Sequence, residues 1–131
     1  MREANLMRTI QLALGRFQNL RLFRNNSGTG WVGKYRKLNG SGNVLIEDAR
    51  PLHAGLCDGS SDLVGWTSLE IKPEHVGKRV AVFTALEIKT DSGRANASQL
   101  NFIEQVRAAG GFAGIVRTPE EAARFIDDHA K

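Results

Sequence analysis

The chain has 131 residues, 41% hydrophobic and 24% charged, which is about the size of one domain and enough to bury a modest core without staples. Its single cysteine, Cys57, excludes an internal disulfide and a thiolate metal site, and no apolar run nears the roughly 18 residues that cross a bilayer. Eighteen Lys and Arg against fourteen acids leave a net charge of +4, which favours a polyanionic partner without naming one.

Met1-Arg2-Glu3 leads straight into an amphipathic segment rather than a signal peptide, so a soluble cytoplasmic protein is expected. From Glu3 to Phe17 the apolar residues Leu6, Met7, Ile10, Ala13, Leu14 and Phe17 recur at helical spacing, which predicts a helix with one face packed inward. The alternation in LRLFRNN then predicts a short strand. Residues 27–61 are rich in Gly, Ser and Asn, with one clear apolar run at Val44-Leu45-Ile46, and read as loop with one or two short strands.

The runs DLVGWTSLEIK (62–72) and RVAVFTALEIKT (79–90) have strand composition, and PEHVG between them supplies turn residues for a hairpin. DSGRAN breaks the pattern. Helical spacing resumes from Ala97 to Ala109 through Phe102, Ile103 and Val106, and Gly110-Gly111 stops it. FAGIVRT reads as an apolar strand. TPEEAARFIDDHA opens a last helix with Thr118 as N-cap, Pro119 in the first turn and two acids on the dipole. The expected order is α, β, a hairpin, α, β, α in one α/β domain spanning 1–131.

The tetrapeptide Leu-Glu-Ile-Lys occurs twice, at 69–72 and at 86–89. In the second run Val80, Val82, Leu86 and Ile88 line one strand face and Ala81, Phe83 and Ala85 the other, as in a strand covered on both sides. Glu87 and Lys89 then lie on the Phe83 face, where charge is costly unless paired or ligating. The first copy runs into Pro73, which cannot donate to a ladder, so Glu70 and Lys72 read as a solvated pair beside a turn. A hairpin folded about Val76 sets Asp62 opposite Thr90, near Glu87 and Lys89, and leaves Glu70 roughly 26 Å along the strand from Asp62.

Two carboxylates and a lysine two residues after one of them suit a hard divalent cation. Mg²⁺ is commonly held by one or two carboxylates plus phosphate oxygens, while a lysine orients or helps deprotonate water and stabilises charge on phosphate. Gln99 shares the helix face of Phe102, Ile103 and Val106 and points toward the strand end carrying Lys89. Its amide is placed to hold a water or Lys89, or is simply the polar end of an apolar stripe. Glu3 likewise shares a face with Leu6, Met7 and Ile10, although an acid in a first turn also suits the dipole.

GSSDLVGW, FTALEIKTDSGRANASQLNFIEQV and GGFAGIVRTPEEA together resemble the VRR-NUC domain, a branch of the PD-(D/E)XK nuclease superfamily, over Glu3 to about Ala122. The resemblance implies a restriction-endonuclease-like αβββαβ core, a mixed sheet flanked by helices, followed here by a C-terminal helix. It implies that Asp62 and Glu87, with Ile88, bind Mg²⁺ or Mn²⁺, that Lys89 works on the water, that Gln99 fills the family's helix position, and that Glu3 is the acid from the first helix. Ser61 stands where the motif name has proline, which carries no chemistry. Stand-alone members of the family, from phage and bacteria, look like homodimers that cut branched DNA such as four-way junctions in replication and repair.

GTGWVG (28–33) satisfies G-x-G-x-x-G, but KYRKLNGSG follows it where a dinucleotide site needs a helix. The stretch suits DNA better: Arg21, Arg24, Lys34, Arg36 and Lys37, with Arg94 further on, offer cations for phosphate, and Asn25, Asn26, Trp31 and Tyr35 offer amides and rings. His53, His75 and His129 show no zinc-ligand spacing. The rival expectation is a basic DNA-binding protein without catalysis, such as a phage assembly or packaging factor.

Overall fold

The computed structural model describes residues 3–129. Met1 and Arg2, expected to lead into the first helix, and Ala130, expected to end the last, lie outside them. The elements are α1 (Glu3–Leu14), β1 (Leu20–Arg24), β2 (Gly28–Lys37), β3 (Val44–Ala54), β4 (Leu63–Thr67), a 3-10 turn (Pro73–His75), β5 (Thr84–Ile88), α2 (Ala97–Ala108), β6 (Phe112–Val116) and α3 (Pro119–His129). This is the expected mixed α/β class, with helices at the expected places and a C-terminal helix. The strands form three two-stranded sheets, β1 with β4, β2 with β3, and β5 with β6. Among the described residues no helix is long and apolar enough to cross a membrane.

The chain divides into two bodies, Met1–Arg21 with Trp66–Lys131, and Leu22–Gly65; β1 and β4 contribute residues to each. In the first body β5 and β6 run parallel, in register from Thr84 opposite Phe112 to Ile88 opposite Val116. Parallel neighbours need a crossover, and α2 supplies it. Its Ile103 and Val106 turn inward onto Ala113, with Trp66, Phe83 and Ala85 packed around them, and Val106 is 0% exposed. The Trp66 and Phe83 rings meet at 4.9 Å and 57°, a tilted contact that aromatic quadrupoles favour.

The ends of α2 are written in its sequence. Asn96 Oδ1 accepts from the Gln99 amide at 2.8 Å, and Gln99 Oε1 accepts from the Asn96 amide at 3.0 Å, a reciprocal capping box. At the other end Gly110 takes φ 97°, a region closed to most side chains, and lets Gly111 N–H reach the Val106 carbonyl at 2.9 Å. Gly111 is itself crowded: a Cβ there would lie 2.8 Å from the Phe83 carbonyl oxygen. In α3, Thr118 Oγ1 accepts from the Glu121 amide at 3.1 Å, as expected of an N-cap.

Two expectations about the strands are corrected. The segments 62–72 and 79–90 do not form a hairpin about Val76. Pro73 opens a 3-10 turn, residues 68–72 and 77–83 hold no strand, β4 takes β1 as its neighbour and β5 takes β6. Alternation says how a strand presents its side chains, not which strand completes its ladder. Nor is the second run apolar and covered on both faces, since Val80, Val82 and Ile88 are exposed, Ile88 by 77%.

In the second body residues 27–61 are far more regular than their composition implies. β2 and β3 form a long antiparallel hairpin, registered from Gly28 opposite Ala54 to Lys37 opposite Val44. A bulge between Val32 and Lys34 breaks the register, with Asp48 at φ 51°. Gly33 is required there, because a Cβ would stand 2.5 Å from the Glu47 carbonyl oxygen. Both faces of this hairpin are largely exposed, so folding imposes no apolar alternation that a reader of the sequence would notice. GTGWVG lies inside β2, and no helix follows it.

Candidate active site

The second Leu-Glu-Ile-Lys copy ends β5. Residues two apart on a strand share a face, and Lys89 N–H extends the ladder by donating to the Val116 carbonyl at 3.1 Å. Glu87 and Lys89 therefore stand side by side, with Lys89 Nζ 2.9 Å from Glu87 Oε1 and the two side chains 18% (Lys89) and 28% (Glu87) exposed. Gln99 Nε2 donates to the same Oε1 at 2.7 Å. Where the sequence places this amide to hold Lys89 or a water, it donates to the carboxylate that Lys89 also meets.

Only one amide orientation serves both ends of Gln99. Its oxygen must face the Asn96 N–H, so its NH₂ group must face Glu87. The helix cap is in this way also the device that aims the Gln99 amide. Glu87, Gln99, Asn96, Ser98, Leu86, Ala85, Phe102 and Ile103 line a cleft of about 280 Å³.

Arg117, which the sequence analysis did not single out, secures the loop after Lys89. Its Nη1 donates to the carbonyls of Thr90, of Asp91 at 3.4 Å and of Gly93 at 3.1 Å. No motif announces an arginine whose partners are main-chain carbonyls. Arg94, in the same loop, donates to the Ser92 and Gly93 carbonyls, each at 3.3 Å, and is exposed.

The first copy lies in the same body but in no strand. Leu69, Glu70, Ile71 and Lys72 are all exposed, and the Glu70 carboxylate and the Lys72 ammonium form no ion pair or hydrogen bond among the described residues. The Lys72 main-chain N–H donates to His75 Nδ1 at 3.0 Å, closing the turn.

Asp62 belongs to the second body. Its main-chain carbonyl accepts from Asn25 N–H at 2.8 Å, and its exposed carboxylate takes no hydrogen bond among the described residues. Asn25 also donates from Nδ2 to Ser60 Oγ at 2.7 Å and to the Ser61 carbonyl at 2.9 Å, and its Oδ1 accepts from Leu56 N–H at 3.1 Å. Arg24, Asn26, Lys34, Arg36 and Lys37 are exposed, with Arg36 3.8 Å from Glu47. Trp31 and Tyr35 are 63% and 70% exposed on the hairpin. In the first body Glu3 opens α1 and is exposed, and Ile88 closes β5.

Among the described residues no group of three or more His, Cys, Asp or Glu side chains gathers around a common point. Carboxylate oxygens that keep their lone pairs suit a hard cation. Both contacts to Glu87 fall on Oε1, so Oε2 keeps its own; in the second body, taken by itself, the Asp62 carboxylate is likewise without a hydrogen bond among the described residues.

Comparison with curated proteins and with solved structures gives no match. The VRR-NUC domain family matches residues 42–119, more than half of the chain and a stretch that includes Asp62, Glu87, Lys89 and Gln99. Glu3 and the basic positions from Arg24 to Lys37 lie outside it. The chain therefore belongs to the VRR-NUC domain family, a nuclease branch of the PD-(D/E)XK superfamily with DNA as substrate.

Proposed function

We propose that this chain is a metal-dependent endonuclease that hydrolyses phosphodiester bonds in branched DNA, four-way junctions among them. The observation that carries the reading is the Glu87 carboxylate, with one oxygen shared by Gln99 and Lys89 and the other left for a ligand. In this reading the chain is a nuclease of the cytoplasm, and its candidate ligands for Mg²⁺ or Mn²⁺ are the Glu87 carboxylate, the Ile88 main chain and the Asp62 carboxylate. A bound ion supplies Lewis acidity toward phosphate.

The protein's own groups do the rest. Lys89 Nζ, held beside Glu87, donates to the attacking water and to the charge that grows on the phosphate oxygens. Gln99 keeps the carboxylate from swinging away. Glu3 supplies a further acid from α1. Arg24, Asn26, Lys34, Arg36, Lys37 and Arg94 contact phosphates, while Trp31 and Tyr35 stack on bases unpaired at a branch point.

The test is a four-way junction incubated with the protein in Mg²⁺, in Mn²⁺ and in chelator. Nicking in metal and retardation alone in chelator are expected; retardation without nicking in either metal would favour the non-catalytic DNA-binding reading. The enzyme is further proposed to work as a homodimer, one copy per strand. Light scattering should then give twice the chain mass, and a strict monomer at working concentration would count against it.

A further inference from the structure

We propose that Asn25 is a positioning residue that holds the backbone of Asp62 in place, rather than a contact to DNA. The inference rests on the reading of Asp62 as an ion ligand. A neutral amide has two N–H donors and one oxygen acceptor. Both donors of Asn25 are spent on Ser60 Oγ and the Ser61 carbonyl, at 2.7 and 2.9 Å, and the oxygen takes Leu56 N–H at 3.1 Å. The main-chain N–H of the same residue donates to the Asp62 carbonyl at 2.8 Å. One residue at the end of β1 thus contacts both ends of the seven-residue stretch 56–62.

Ser60 completes the lock. Its Oγ donates to the Cys57 carbonyl at 2.7 Å while accepting from Asn25, and its N–H donates to the same carbonyl at 3.1 Å. Flipping the Asn25 amide would set NH₂ against the Leu56 N–H and oxygen against the Ser61 carbonyl, so a single orientation satisfies the turn. Little of the side chain is left to read a base or a phosphate. The Asp62 carboxylate, by contrast, is exposed and takes no hydrogen bond among the described residues. A ligand free at its tip and fixed at its backbone is what binding an ion without a large ordering cost requires, and outer partners of that kind typically contribute about 10–100-fold in metal affinity.

The experiment titrates Mn²⁺ into the intact chain, reads free ion by electron paramagnetic resonance, and measures junction retardation in chelator. Asn25→Ala is expected to weaken Mn²⁺ binding by about 10–100-fold while leaving retardation within about twofold. In the double variant with Asp62→Ala it should add little to the loss from Asp62→Ala alone, because residues acting as a unit are not additive. Asn25→Asp, which keeps the shape and the Leu56 acceptor but loses both donors, covers the case in which alanine unfolds the turn, and the same loss is expected. Unchanged Mn²⁺ affinity in the folded variants, or retardation lost as fully as in Lys34→Ala, would overturn the proposal. If Asp62→Ala itself binds Mn²⁺ like wild type, the ligand assignment beneath the proposal fails, and the proposal with it.

Discussion

Residues 69–72 and 86–89 carry the same four side chains in the same body, yet they meet different surroundings. Glu70 and Lys72 belong to an exposed, irregular segment that runs into Pro73. Glu87 and Lys89 end a strand whose ladder β6 completes, and Gln99 reaches across from α2 to grip the carboxylate at 2.7 Å. The first copy forms no ion pair among the described residues, and an exposed pair would contribute only roughly 0–1 kcal/mol. The second is partly desolvated and oriented from two sides, and electrostatic groups act on a reaction when they are fixed in advance. Identical side chains therefore differ in surroundings, because one copy has a neighbouring helix to hold its carboxylate.

Short of removing Glu87 itself, the largest effect should come from removing the ammonium of the second copy. Lys89→Met keeps the stem and is expected to slow single-turnover nicking by about 10²–10³-fold, with junction retardation within about twofold. Cutting at the wild-type rate would break the contrast between the copies.

Removing the amide that α2 holds against the carboxylate sharpens it. Gln99→Leu should lower the nicking rate by about 10–100-fold and, with its half of the capping box gone, stability by about 1 kcal/mol. Gln99→Glu restores an acceptor for the Asn96 N–H but sets a second carboxylate against Glu87, so denaturant melts should recover while activity does not. Joint recovery would reduce Gln99 to a cap.

The smallest change in rate per folded molecule is expected from Gly111→Ala, which forces a methyl group toward the Phe83 carbonyl oxygen and Val106. It should cost about 1–3 kcal/mol of stability in urea and leave the metal requirement of the folded fraction unchanged. A shifted metal requirement would mean that the strand end is not held independently of this packing.

The helices were legible because each carries local signals: the stripe of Phe102, Ile103 and Val106, Gly110-Gly111 past α2, and Thr118 before α3. Strand partners were not legible. The apolar run before Glu87 is compatible with a hairpin partner or a parallel one, and the choice of β6 depends on the crossover through α2. The β2–β3 hairpin escaped notice because its exposed faces carry Gly, Lys and aromatic residues without alternation.

At the candidate site, the residue types and the face of Gln99 could be read from the sequence, whereas its partner could not. Which group an amide grips is decided by a box closed with Asn96, one turn away. Arg117 left no trace in the pattern, and Asn25 was legible only as an amide beside basic residues, since main-chain groups make up most of their hydrogen-bond partners, and those are present at every position.

The most direct test sets Glu87→Ala beside Glu70→Ala on one four-way junction in Mg²⁺. Glu70→Ala is expected to nick within about twofold of wild type and Glu87→Ala to leave the junction bound and intact. Undiminished nicking by Glu87→Ala, or equal loss in both variants, would contradict the contrast between the two copies.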